Sequence, residues 1–190
     1  QGSDIDGEAW GDYSGWYVSL SSDGSTVAIG APYNDPISPV TFTMQKSMGH
    51  VRIYKNISGT WRQQGSDIDG EKAGDYSGCS VSLSSDGSTV AIGAYLNDGK
   101  GSDAGHVRIY KNINGTWRKK GLDIDGEAAG DLSGFSVSLS SDGSTVAIGA
   151  PYNDGKGSSA GHVRVYKIVQ EIIKPTVLTQ NVTVSLDANG

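Results

Sequence analysis

Cysteine is nearly absent: Cys79 is alone in 190 residues, so no internal disulfide can staple the chain. Its counterparts in the neighbouring repeats are Trp16 and Phe135, which marks Cys79 as a small buried apolar residue and not a nucleophile. No run of 18 apolar residues is present, which excludes a membrane-spanning helix, and no membrane insertion is expected. Basic residues are in deficit, with 15 Lys and Arg against 21 Asp and Glu, a net charge of −6 and a pI near 4.9. The one basic cluster, Arg118-Lys119-Lys120, reads as a solvated strand end. A nucleic-acid groove needs a basic stripe, so nucleic acid is excluded as a partner. Serines are abundant, yet no Gly-x-Ser-x-Gly elbow occurs. Nor does any segment carry a helical period. Gln1 opens neither a signal peptide nor an initiating methionine, so the chain reads as a mature or excised segment of something longer.

What is present in excess is glycine, at 28 residues, and repetition. Three stretches beginning at Gly2, Gly65 and Gly121 are nearly the same, from Gly-x-Asp-Ile-Asp-Gly-Glu through Ser-Ser-Asp-Gly-Ser-Thr-Val-Ala-Ile-Gly-Ala to Asn-Asp. Self-similarity at a fixed period of about 56 residues decides the architecture before any local reading does. The first copy is longer by roughly seven residues between Asp35 and Gly49, which marks a loop there.

Within the third copy Phe135, Val137 and Leu139 alternate with Ser136 and Ser138, and Ser141-Asp142-Gly143-Ser144 makes a tight turn. Val146 to Ala150 follows as a short strand of small residues, and His162 to Tyr166 as another. In the second copy Asn114-Gly115 is a turn before a fourth strand, Thr116-Trp117-Arg118. The fold class is therefore all-β, with three four-stranded antiparallel repeats of a β-propeller as blades. The blades are expected at 2–64, 65–120 and 121–170, with 171–190 as a linker and the start of a following β-domain. A propeller closes with about four to eight blades, so three are expected to belong to a larger ring or to pack against neighbouring chains or blades of the same protein.

Gly-Phe-Ser-Val at 134–137, Ala-Ile-Gly-Ala-Pro at 147–151 and Gly-His-Val-Arg-Val-Tyr at 161–166 resemble the FG-GAP repeat of integrin-α-type propellers, and all three copies share the pattern. The resemblance implies a seven-bladed propeller in a cell-surface protein of bacterial type. Many FG-GAP blades carry an Asp-x-Asp-x-Asp-Gly calcium loop between the first two strands. Here Ser-Ser-Asp-Gly stands at 21–24, 84–87 and 140–143, and one carboxylate cannot supply the six to eight oxygens calcium needs. The tail from Val182 to Gly190 resembles the opening of immunoglobulin-like modules in large bacterial surface proteins.

Candidate chemistry is confined to a few places. The acidic run recurs as Asp67, Asp69, Glu71 and Asp75, and as Asp123, Asp125, Glu127 and Asp131, with a first copy at Asp4, Asp6, Glu8 and Asp12. Oxygen donors at alternate positions around a glycine suit Ca2+, the only cofactor these residues suggest. They equally suit a turn between the outer strand of one blade and the inner strand of the next. His50, His106 and His162 sit one per blade, too far apart to share one ion. Paired carboxylates for glycoside hydrolysis need unlike environments, which repetition denies them. The expectation is thus no enzyme but a non-catalytic extracellular binding or adhesion module, with a protein or glycan partner. A structural spacer or filament subunit is the alternative. The irregular loop after Asp35, with Pro36, Val40, Phe42 and Met44, is the candidate partner-binding segment, because binding sites break symmetry and exposed apolar loop residues are interface candidates.

Overall fold

The computed structural model describes residues 2–35 and 47–169. Among these the regular secondary structure is entirely β, in three antiparallel sheets that follow the three repeats. The first blade contains β1 (Tyr17–Leu20), β2 (Thr26–Ala31), β3 (His50–Ile57), β4 (Thr60–Gln63) and β5 (Ile68–Asp69). The second repeats it as β6 (Ser80–Leu83), β7 (Thr89–Ala94), β8 (His106–Ile113), β9 (Thr116–Lys119) and β10 (Ile124–Asp125). The third shows β11 (Ser136–Leu139), β12 (Thr145–Ala150) and β13 (His162–Lys167). The expected partner-binding residues Pro36, Val40, Phe42 and Met44, and the segment 171–190, lie outside the described residues.

Each blade is an up-and-down meander whose turns are written in the sequence. Between the first two strands the turn aspartate accepts from its own serines: Asp86 Oδ1 takes Ser84 Oγ at 2.6 Å and the Ser88 amide at 2.9 Å. The glycine after it has φ near 67°, a conformation glycine adopts without cost. Between β8 and β9 the two-residue turn Asn114-Gly115 has φ of 52° and 85°, the pattern that matches strand twist in a tight hairpin.

In the first two sheets the outer edge adds a short fifth strand to the four expected. β8 is eight residues long and β9 only four, so the first residues of β8 are left for another partner, and β10 takes them, with Ile124 opposite Val107 and Asp125 opposite His106. β5 pairs with β3 in the same way. The Asp-Ile-Asp stretch at the head of a repeat, read as a connection between blades, is thus part of the outer edge of the blade before it.

The core lies between blades. Val81 and Leu83 of β6 point back onto Ala28, Val51 and Ile53 of the first blade. Val137 and Leu139 of β11 pack likewise against a cluster of Ala91, Val107 and Ile109. The small residues of β2 and β7 allow backbones to touch: a Cβ on Gly30 would lie 2.1 Å from the Gly78 carbonyl oxygen, and one on Gly93 2.1 Å from that of Gly134. Two hydrogen bonds repeat at both joints. Leu83 N donates to Ser19 Oγ and Leu139 N to Ser82 Oγ, each at 2.9 Å, while Ser22 N donates to Ser85 O and Ser85 N to Ser141 O.

Candidate functional site

The acidic run distributes its carboxylates over three different tasks. Asp75, buried, accepts from the Lys72 amide at 3.1 Å and from Asn97 Nδ2 at 2.9 Å, which ties the loop before β6 to the loop after β7. Asp12 with Asn34 and Asp131 with Asn153 repeat this staple. Asp69 and Asp125 lie on the outer edge opposite His50 and His106. Burial pushes the Asp69 carboxyl above the usual carboxylate range.

The remaining members face basic groups. Arg108 Nε donates to Asp123 Oδ1 at 3.0 Å and its Nη2 meets Glu71, while Lys119 Nζ reaches Asp123 at 2.6 Å. His106 Nδ1 lies 3.9 Å from Glu71. In the first blade His50 sits 3.8 Å from both Glu8 and Asp67, and Arg52 3.4 Å from Glu8. The third blade has His162 and Arg164 beside Glu127, at 3.6 and 3.5 Å. Two of these groups, Glu8-His50-Asp67 and Glu71-His106-Asp123, bring three ligand-type atoms within 4.8 Å of one another. The structure therefore unites Glu71 with Asp123, from successive runs, and does not unite Asp67, Asp69, Glu71 and Asp75 of one run. Each group already holds a guanidinium as counter-charge, and three side chains fall short of the six to eight oxygens of a calcium cage. Burial, against the pull of the neighbouring carboxylates, lowers the pKa of His50 and His106.

Cys79 packs its Sγ 3.3 Å from the Gly93 carbonyl oxygen, and burial pushes the thiol up to about 11, far from an activated nucleophile. In the serine turns Asp23 and Asp142 are held down to about 2, chiefly by the hydroxyls of Ser21 and Ser140.

A second kind of site lies on the rim formed by the loops before each first strand and after each second strand. Aromatic rings run along it: Tyr13 and Trp16 against Tyr33, Tyr33 against Tyr76 at 5.1 Å, Tyr76 against Tyr95 at 5.9 Å, and Tyr95 against Phe135 at 5.7 Å. At the first blade this rim opens into a concavity of about 580 Å3 lined by Ala9, Trp10, Tyr13, Tyr33, Asn34 and Asp35, with Ser47 on its border. Asp35 and Ser47 flank the longer loop singled out in the sequence. Trp10 is fully exposed, at 100%. No motif singles Trp10 out, and its signal in the sequence is a departure from the repeat: Ala73 and Ala129 stand at the matching positions of the other copies.

Comparison with known proteins places the repeats. Residues 66–110 and 123–166 match the family described as FG-GAP repeat, and the first copy shares their sequence pattern. No curated protein matches the chain in sequence. A solved structure of a putative 6-phosphogluconolactonase from Bacteroides fragilis is similar to it with a TM-score of 0.50 and 14% identity, over 79% of this chain and 33% of that one. The periplasmic gluconolactonase of Pseudomonas aeruginosa gives 0.45 and 18%, over 80% of this chain and 38% of that one. Hydrazine synthase of Kuenenia stuttgartiensis gives 0.46 and 12%, over 85% and 36%. The chain spans about a third of the length of these structures, and at 14% identity the likeness to the first is one of fold alone.

Proposed function

We propose that this chain of FG-GAP repeats is a non-catalytic extracellular binding and adhesion module of a larger surface protein, and that it takes a protein or glycan partner at the rim of its first blade. The observation that supports this reading is the convergence of two departures from the repeat. Trp10, alone among its equivalents in being aromatic, and the ends of the lengthened loop, Asp35 and Ser47, border one concavity. Exposed aromatic rings beside amide and carboxylate groups offer flat apolar faces with polar edges, the composition enriched at recognition surfaces. The other ionisable repeats support a structural role, since Asp75, Asp131 and Arg108 are engaged in holding loops and blades.

Binding of the intact chain to a glycan array and to extracellular-matrix proteins tests the reading, with Trp10→Ala and a chain whose 36–48 loop is cut to the length of the second copy as comparisons. Both changes are expected to reduce binding at least about tenfold, the effect of losing a central aromatic anchor. Binding unchanged in both variants favours the spacer reading, and turnover of a lactone by the chain overturns the non-catalytic one.

A further inference from the structure

The two internal joints have the same two halves, and each half occurs once more without a counterpart among the described residues. The leading half consists of the second and fourth residues of a first strand. Leu83 in this position is 7% exposed because the first blade covers it, whereas Leu20 is 59% exposed, with Val18 beside it. The trailing half consists of the alternate valine and isoleucine of a third strand. Val107 in this position is 0% exposed, whereas Val163 is 68% exposed and Val165 lies open beside it. The glycine contact is split in the same manner: Gly134 meets Gly93, but nothing lies within 4 Å of a Cβ on Gly15, and Gly149 meets only Ser136 of its own blade.

The outer edge and the charges repeat the asymmetry. Residues 2–8 have the same sequence as 65–71, where Ile68 and Asp69 pair with Val51 and His50. Ile5 and Asp6 join no strand among the described residues, and β13 has no partner on its outer side there. His50 and His106 each face two carboxylates or sit in a cluster with two, Glu8 with Asp67 and Glu71 with Asp123. His162 and Arg164 have Glu127 alone among the described residues.

We propose that these halves belong together: the leading face of one chain docks onto the trailing face of a second copy and makes a third joint of the same build as the internal two. Ile5 then pairs with Val163 and Asp6 with His162. Asp4 takes the place that Asp67 and Asp123 hold and completes the Glu127-His162-Arg164 cluster. Val18 and Leu20 cover Val163, Val165 and Ala147, Leu20 N donates to Ser138 Oγ, and Gly15 seats against Gly149. A second copy is the occupant because the surface demands these particular small, apolar and acidic groups at these spacings, and residues 2–20 carry them. The joint is head-to-tail, so two copies joined twice make six blades, inside the range of about four to eight in which propellers close.

Sedimentation and light scattering over a concentration series test this, with variants on exposed residues that leave the internal core untouched. The wild-type chain is expected to form dimers or longer head-to-tail assemblies. Val165→Asp and Leu20→Asp are each expected to be monomeric, since each has lost one half. An equimolar mixture is expected to give a one-to-one dimer through the two intact halves. Asp4→Lys, which touches no apolar face, is expected to raise the concentration needed for association at least about tenfold by placing like charges together. A wild-type chain that stays monomeric at every concentration overturns the proposal, as does a mixture of the two folded variants that fails to pair. Should either aspartate variant fail to fold, an Asp4→Lys chain that associates as well as wild type overturns it equally.

Discussion

Leu83 and Leu20 occupy the same place in successive repeats, which turns the repeat into its own control for the energetics of a joint. Truncation of Leu83 to alanine empties a site enclosed by Ala28, Val51 and Ile53 on the blade before it. The lost transfer energy and the cavity left behind make the expected cost about 2–4 kcal/mol. For a chain of this size roughly 2–4 °C of melting temperature accompany each kcal/mol, so Leu83→Ala is expected to lower it by roughly 5–15 °C. Leu20→Ala removes the same atoms from an exposed face and is expected to stay within about 0.5 kcal/mol of the parent. Urea or thermal unfolding followed by circular dichroism, on chains dilute enough to be separate, measures both. Equal losses at the two positions would show that the blades do not meet as described and would refute the assignment of leading and trailing faces.

Cys79 should resist a thiol reagent at pH 8 and react only on unfolding, because its thiol is pushed up to about 11; rapid labelling of the native chain would contradict its enclosure between Gly93 and Gly134. His50 and His106 have folded pKa values below their unfolded value of about 6.5, so the folded chain binds fewer protons and stability should fall as pH drops below about 6.5. Melting curves between pH 7.5 and 5.5 check this, and the double variant His50→Gln, His106→Gln should flatten the dependence. Trp117→Phe removes a single 2.8 Å hydrogen bond from Trp117 Nε1 to Gln64 O between neighbouring outer edges and should cost about 1 kcal/mol, measured by urea unfolding.

The meander of each blade was legible because its signals are local. Alternation in Phe135 to Leu139, the Ser-Asp-Gly turn and Asn114-Gly115 each act within a few residues and agree with one another. The split outer edge was not legible, since Asp-Ile-Asp-Gly has the composition of a turn and becomes a strand only because β8 outreaches β9. The fate of the acidic run was hidden for a related reason. Asp75 finds Asn97 22 positions away, and Glu71 finds Arg108 37 positions away, so no spacing within the run reveals that its members part company. At the candidate site the asymmetric loop drew notice by its length. Trp10 did not, because it lies inside a copy that otherwise repeats, and only position-by-position comparison with Ala73 and Ala129 exposes it.

β2, β7 and β12 have one and the same sequence, Thr-Val-Ala-Ile-Gly-Ala, and β3 and β8 are likewise identical. A strand therefore holds no information about which blade it belongs to, and an exchanged pairing of β7 with β3 would satisfy the same side chains as the native pairing with β8. What separates right from wrong is the tether: the loop 95–105 joins β7 directly to β8, whereas residues 58–88 stand between β3 and β7, so each strand meets its own neighbour before another copy can compete. Fidelity in such a chain is kinetic in origin, so refolding at high concentration, where a neighbouring molecule rivals the tether, should yield strand-exchanged species that a dilute refolding does not.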